Sequence, residues 1–184
     1  MKKNHSAIQT EYLKSCILES VFNQLEVKAI DQISITDIAS NAGVSRMTIY
    51  RYYDSKEDII RKYVKESYEA YIKEAGSLNL DAIALAPYFF DYFRRNSDKI
   101  ELLIRRNLFH LVSENFVDYV KRYTNLVNNK PNLSEMHLSY FYAYTASGML
   151  SMVKTWIESG MKESNDEMSE ILMKVKLEQA KFST

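Results

Sequence analysis

Residues 34–53 read SITDIASNAGVSRMTIYRYY. Ser34 followed three positions on by Asp37 has the form of a helix-capping box, with Asp standing in for the usual Glu. Ile35, Ile38 and Ala39 give the short helix that follows its buried side. Gly43 ends it, because a helix stop often takes a positive φ that a Cβ disfavours. Val44 anchors the turn, Ser45 is placed to cap again, and a third helix is expected from Arg46 to Tyr53. Two short helices about a glycine turn make a helix-turn-helix, whose second helix enters the major groove of DNA. Ser45, Arg46 and Thr48 lie near the start of that second helix and project away from Val44 and Ile49. Arginine suits a two-bond contact with guanine, and threonine offers a hydroxyl or a methyl to a base edge. Tyr50, Tyr52 and Lys56 supply hydroxyl and ammonium donors of the kind that fix register on phosphates. Lys56 also opens the next helix, where the helix dipole disfavours a cation unless an anion sits there.

Upstream, Ile8, Tyr12, Cys16 and Ser20 recur every four residues beside Ile17, Val21 and Leu25, predicting a helix over roughly Ser6 to Val27. Downstream, Lys56 begins a long helix that runs to Gly76, with Glu57 and Asp58 in its first turn. Leu80 to Asn96 is helical but holds Pro87, which should bend or break it. Asp98 to about Val127 reads as one helix, or as two joined near Arg106-Asn107. Leu133 to Ser159 is the longest stretch, stopped by Gly160, and Asp166 to about Lys181 closes the chain. The longest stretch is apolar on two sides. Leu133, His137, Tyr140, Tyr144 and Gly148 form one, and Leu138, Phe141, Thr145, Met149, Met152 and Trp156 the other. A helix of that kind is buried on two sides, by its own domain and by a partner.

Composition excludes several alternatives. Four glycines and two prolines in 184 residues are too few for an all-β chain with a turn every ten residues or so. An aromatic content of 12% and zero net charge exclude intrinsic disorder. Residues 1–65 carry ten Lys or Arg against eight Asp or Glu, so DNA binding rests on where the charges stand rather than on their total. The single cysteine, Cys16, has no internal disulfide partner, which fits a reducing compartment. MKKNHSAIQTEY holds no signal-like apolar run, and the uncharged stretch His137 to Val153 falls short of the ~20 apolar residues of a membrane span. A cytoplasmic protein that does not enter membranes is expected.

ITDIASNAGVSRMTIYRYYDSKEDII, residues 35–60, resembles the N-terminal DNA-binding domain of TetR-family transcriptional regulators. The likeness extends from residue 8 to about residue 60 and rests on an Ile-Ala pair, Ala-Gly-Val-Ser, an aromatic-rich stretch and Ser-Lys-Glu at fixed spacing. Two positions depart from the pattern: Ala29 where Gly or Pro is usual, and Tyr53 where Phe is common. Carried over, the family's base-facing positions fall on Thr36, Arg46 and Thr48, and its phosphate contacts on Ser34, Ser45, Tyr50, Tyr52 and Lys56. ASGMLSMVKTWIESGMKESNDEMSEIL, residues 146–172, is similar to a subgroup that includes activators of dihydroxyacetone kinase genes. The resemblance implies an all-α fold of about nine helices. A three-helix DNA-binding domain spans 1–55, its helix-turn-helix at 34–53, and a helical effector and dimerisation domain spans 56–184. It also implies a homodimer joined by the last two long helices, with Met152, Trp156, Met168, Ile171, Leu172 and Val175 at the interface.

Members of this family sense a small molecule in the C-terminal half. Phe89, Phe93, Phe109, His110, Phe116, Tyr119, Tyr140, Tyr144 and Met149 are the candidate wall, with Tyr88, Tyr123, Met152 and His137 beside them. Rings and thioethers at helical spacing also make ordinary core. Arg94, Arg95, Lys99, Arg105 and Arg106 form a basic cluster, either a solvated face or a patch for an acidic partner. Three histidines and one cysteine at 5, 110, 137 and 16 give no pair with metal-ligand spacing, so no metal or cofactor is expected. G-x-S-x-G, H-E-x-x-H, a Walker loop and G-x-G-x-x-G are all missing, which argues against an enzyme. The reading is a repressor that leaves its operator on binding a small, largely apolar effector. The alternative is an activator or co-regulator controlled by a protein partner.

Overall fold

The computed structural model describes residues 2–127 and 130–181. Every regular element among them is helical. They are α1 (Lys2–Leu25), a 3₁₀ turn (Ile30–Gln32), α2 (Ile35–Asn41), α3 (Arg46–Tyr52), α4 (Lys56–Ser77), α5 (Ala82–Arg95), α6 (Ser97–Arg105), α7 (His110–Ser113), α8 (Phe116–Leu126), α9 (Glu135–Glu158) and α10 (Asn165–Lys181). Apart from α7, a single turn, the α-helices of the described residues number nine, in line with the about nine that the resemblance implies.

Capping side chains set most of the starts. Ser34 Oγ accepts from the Asp37 N–H at 3.1 Å, while Asp37 Oδ2 accepts from the Ser34 N–H at 3.3 Å and from its hydroxyl at 2.8 Å. Asp81 accepts from the N–H groups of Ile83 and Ala84, both at 2.9 Å. Ser164 and Glu167 close a second capping box at α10. Gly43 and Gly160 stop helices with φ of +66° and +86°. Asn107, at φ +58°, does the same after α6, so the joint expected near Arg106-Asn107 is real and a second break follows α7. Ala29 sits at φ −72°, an ordinary extended conformation, so nothing there calls for glycine. Pro87 does not break α5, which runs through it. The carbonyl that loses its amide partner belongs to Ile83, a residue 70% exposed, so water can meet it.

Two compact units result. The first joins the residues up to Ser67 to Leu102–Val112; the second joins Tyr68–Glu101 to the residues from Ser113 onward. They differ from a division in chain order at residue 55, because α4 continues through that region and 102–112 returns to the first unit. The core of the first unit is Ile17, Val21 and Leu25 of α1, Ile33, Ile38 of α2, Ile49 of α3, and Ile59 and Ile60 of α4, all fully buried. Ser20 Oγ donates to the Ile38 carbonyl at 3.0 Å across α1 and α2. Arg106 donates from Nε to the Leu25 carbonyl and from Nη2 to the Glu26 carbonyl at 2.6 Å, and Arg105 pairs with the Glu26 carboxylate at 3.2 Å. These bonds answer carbonyls that the end of α1 leaves without amides.

In the second unit α5 packs on α10 and α8 on α9. The buried row of α9 is Leu138, Tyr142, Ala146, Leu150, Val153 and Ile157, with Trp156. That row takes Leu138 and Trp156 from the second of the two sides the sequence suggests and lies opposite the first. Arg94 lies over the Trp156 ring at 4.8 Å and donates to Asn165 Oδ1 at 2.9 Å and to the Glu163 carbonyl at 2.6 Å, fixing the turn between α9 and α10.

Candidate nucleic-acid interface

α3 is held by its own ends and by α4. At its start, Ser45 Oγ accepts from the Thr48 N–H at 3.1 Å and lies 2.9 Å from Thr48 Oγ1. At its end, Lys62 donates to the Tyr52 carbonyl at 2.7 Å. Lys62 is positioned by Asp58, whose Oδ2 lies 2.8 Å from its ammonium and also accepts from the Asp54 N–H at 3.0 Å. Burial opposes ionisation of Asp58, but the bonds from Lys62 and Asp54 and the charges of Lys62 and Arg61 outweigh it, holding the carboxyl below its ordinary range. Lys56 donates to the Ile33 carbonyl at 2.8 Å, tying the start of α4 to the residue before α2. The cation that looked misplaced at a helix start thus has a partner within the chain.

Ile49 is the fully buried residue of α3, and the opposite face is open. Arg46, Tyr50 and Arg51 are exposed, and Met47 is 76% exposed. Positions 46 and 50, and 47 and 51, are four apart, so these side chains stand together on one side. Thr36 on α2 is exposed as well, whereas Thr48 is half-buried with its hydroxyl against Ser45. Of the phosphate candidates, Tyr50 is exposed and Tyr52 half-buried. Ser34 and Ser45 are exposed caps, and Lys56 is half-buried on Ile33. Met47 and Arg51 escape a reading that looks for polar residues near the helix start. The signal for both is their place opposite Ile49. An exposed methionine there can meet a thymine methyl.

The candidate effector residues divide. Phe89, Phe93, Phe116 and Tyr119 are buried together in the second unit, with Phe89–Phe93 centroids 5.1 Å apart and Phe116–Tyr119 stacked at 4.8 Å. Phe109 and His110 belong to the first unit, half-buried and exposed. Tyr140 and Tyr144 are 71% and 64% exposed, while Met149, Met152 and Tyr123 are half-buried. Tyr88 is exposed, and His137 lies on the surface with Nδ1 3.0 Å from the Ser134 hydroxyl. Among the expected interface residues, Trp156, Met168 and Leu172 are buried within this chain, leaving Ile171 and Val175 exposed. Arg94, Arg95, Arg105 and Arg106 are engaged with Glu163, Asp91, Glu26 and Leu25, so the basic cluster is not an open patch. Among the described residues no three His, Cys, Asp or Glu side chains gather to hold a metal ion, and no helix is long and apolar enough to cross a membrane.

A capped reading helix with one face buried on its own unit and the other bearing Arg46, Met47 and Tyr50 defines a helix-turn-helix DNA-binding protein. Residues 17–63 match the family described as bacterial regulatory proteins, tetR family, and residues 85–176 match a transcriptional regulator C-terminal region. The chain belongs to the TetR family of DNA-binding transcriptional regulators, which are not enzymes. Among solved structures it is similar to Lin0861 from Listeria innocua, at 17% identity and a TM-score of 0.77 over 96% of this chain and 93% of that one. It is also similar to the dihydroxyacetone kinase operon activator DhaS, at 16% identity and a TM-score of 0.61 over 92% and 97%. The transcriptional regulator FadR from Bacillus subtilis in complex with stearoyl-CoA aligns at 17% identity and a TM-score of 0.54 over 90% and 96%. Among curated proteins no relative matches the chain.

Proposed function

We propose that the chain is a cytoplasmic, dimeric repressor that occupies an operator and leaves it on binding a small, largely apolar effector. The open face of α3 carries the reading: Arg46 with Thr36 and Thr48 contact bases, and Ser34, Ser45, Tyr50, Tyr52 and Lys56 meet phosphates. Met47 joins the base-contacting set. The effector would sit against the buried rings of the second unit, and the stearoyl-CoA complex of FadR is a precedent for a ligand with a long apolar chain, although its CoA end is charged. The dimer forms through the open side of α9, where Tyr140, Tyr144 and Gly148 follow one another at four-residue spacing, joined by Ile171 and Val175 of α10. Gly148 supports this placement: a helix interior disfavours glycine by about 1 kcal/mol, and among the described residues nothing beyond its chain neighbours and its own stretch of helix backbone lies within 4 Å of where its Cβ would stand. A backbone approaching from a second copy gives that glycine a reason.

Selection from a randomised DNA pool tests the reading. An inverted repeat should be enriched, because a two-fold dimer presents two reading helices to two half-sites. Without enrichment the DNA-contact assignments fail. An effector must raise the melting temperature and lower operator affinity together, since both follow from preferential binding to one state. If a co-expressed protein does so and no small molecule does, control by a protein partner replaces the effector. A reporter driven by the selected site fixes the sign, since DhaS is an activator.

A further inference from the structure

Arg94 and Arg51 each lie over an aromatic ring, 4.8 Å from the centre of Trp156 and 4.7 Å from that of Tyr52. Such an attraction holds a guanidinium against the face of the ring and uses none of its N–H donors. At Arg94 the donors are spent inside the chain, on Asn165 Oδ1 and on the carbonyls of Glu163 and Met161, so that arginine fastens a turn. At Arg51 no hydrogen bond or ion pair takes them up among the described residues. Its side chain is exposed, held by the ring, with its donors open to whatever approaches α3. Helix geometry sets the direction. Two residues of an α-helix turn through about 200°, so Met47 and Arg51 both stand nearly opposite the buried Ile49. The ring beneath Arg51 is itself fixed. Tyr52 and Tyr53 meet edge to face at 6.4 Å, Lys62 donates to the Tyr52 carbonyl at 2.7 Å, and the same ammonium lies 5.4 Å over the Tyr53 ring.

We propose that Arg51 grips a phosphate of the DNA backbone, and that the Tyr52 ring is the platform that orients it before DNA arrives. This rests on the DNA-binding reading above and adds to it one phosphate contact and a second role, positioning, for Tyr52. Arg51 belongs to the last turn of α3, whereas Arg46 opens the helix. A reading helix brings its N-terminal residues to base edges, which leaves its far end to the sugar–phosphate backbone. A phosphate also suits the guanidinium fork, which meets two of its oxygens at once. A long side chain gives up rotamer freedom when it binds, and one already seated on a ring gives up less.

The test is a double-mutant cycle read by fluorescence anisotropy, on the operator recovered by selection and on an unrelated duplex of equal length. Wild type, Arg51→Ala, Tyr52→Phe, Tyr52→Leu and the two double variants are checked by circular dichroism and titrated between roughly 50 and 200 mM salt. Arg51→Ala should weaken binding about tenfold on both duplexes and lower the salt slope by roughly 0.9 per reading helix. In the Tyr52→Phe background the platform survives, and Arg51→Ala should again cost about tenfold. In the Tyr52→Leu background the platform is gone, and Arg51→Ala should cost only about twofold. An equal cost in all three backgrounds would uncouple Arg51 from Tyr52 and remove the platform. An unchanged salt slope, or a changed base preference in Arg51→Ala, would overturn the phosphate contact. If Tyr52→Leu does not fold, Arg51→Lys decides. It keeps the charge without the fork, so affinity should fall while the salt slope stays; affinity equal to wild type would overturn the oriented grip. Wild type that binds neither duplex sinks the regulatory reading as a whole, whereas wild-type binding indifferent to Arg51 sinks this contact alone.

Discussion

Replacing Arg46 with alanine removes an exposed guanidinium from the start of α3, and with it a two-bond fork for a guanine edge. Specific binding should weaken by roughly 1–3 kcal/mol and base preference relax at one position of each half-site, as read by randomised-site selection. Lys56→Ala should behave differently. Loss of a phosphate contact weakens binding on all sequences alike and lowers the salt slope by roughly 0.9 per reading helix. Because its ammonium also serves the Ile33 carbonyl, the same variant should melt below wild type. A shift in base preference would exclude the phosphate role. The open position of Arg46 was legible because it follows a capping serine at the start of the helix and points away from Ile49. Met47 was not, because an apolar side chain reads as core until the buried side of the helix is known.

At the scale of the element, the control of α3 lies in α4. Asp58 holds Lys62, and Lys62 holds the last carbonyl of α3. Asp58→Asn should cost roughly 1.5–3 kcal/mol, the range for hydrogen bonds to a charged group. The Asp58 carboxyl is held below its reference value of 3.8 in the folded state. Its contribution is therefore fully present above that value and is lost as the pH falls through the lowered one. Urea melts between pH 7 and pH 2 should show a shallower acid limb in Asp58→Asn; an unchanged limb would remove Asp58 from the account. Helix starts were legible because a capping side chain and its amide lie three residues apart in the sequence itself. The course of α5 through Pro87 was not, since it depends on whether the Ile83 carbonyl can reach water.

For the whole molecule, the proposed dimer turns on which side of α9 a second copy would meet. The expected answer is the side of Tyr140, Tyr144 and Gly148. Tyr140→Lys with Tyr144→Lys should yield a monomer of unchanged helicity by light scattering and circular dichroism, with operator affinity reduced. Trp156→Ala should instead lower the melting temperature, because that ring packs against Phe90 and Arg94 within the chain. A wild-type monomer at micromolar concentration would remove the dimer. That α9 is apolar on two sides was visible from periodicity alone. Which stripe belongs to the chain itself was not, because a four-residue repeat fixes faces without saying what each one meets.

The return of residues 102–112 to the first unit bears on how such proteins change over generations. A crossover between relatives at one point near residue 67 would carry a reading head away from Arg105 and Arg106, leaving the Leu25 and Glu26 carbonyls to a stranger's residues. Inheritance of new DNA specificity by wholesale exchange therefore needs two breakpoints or a recipient with matching arginines. Point substitution on the open face of α3 disturbs neither, which makes it the easier road for a lineage acquiring a different operator.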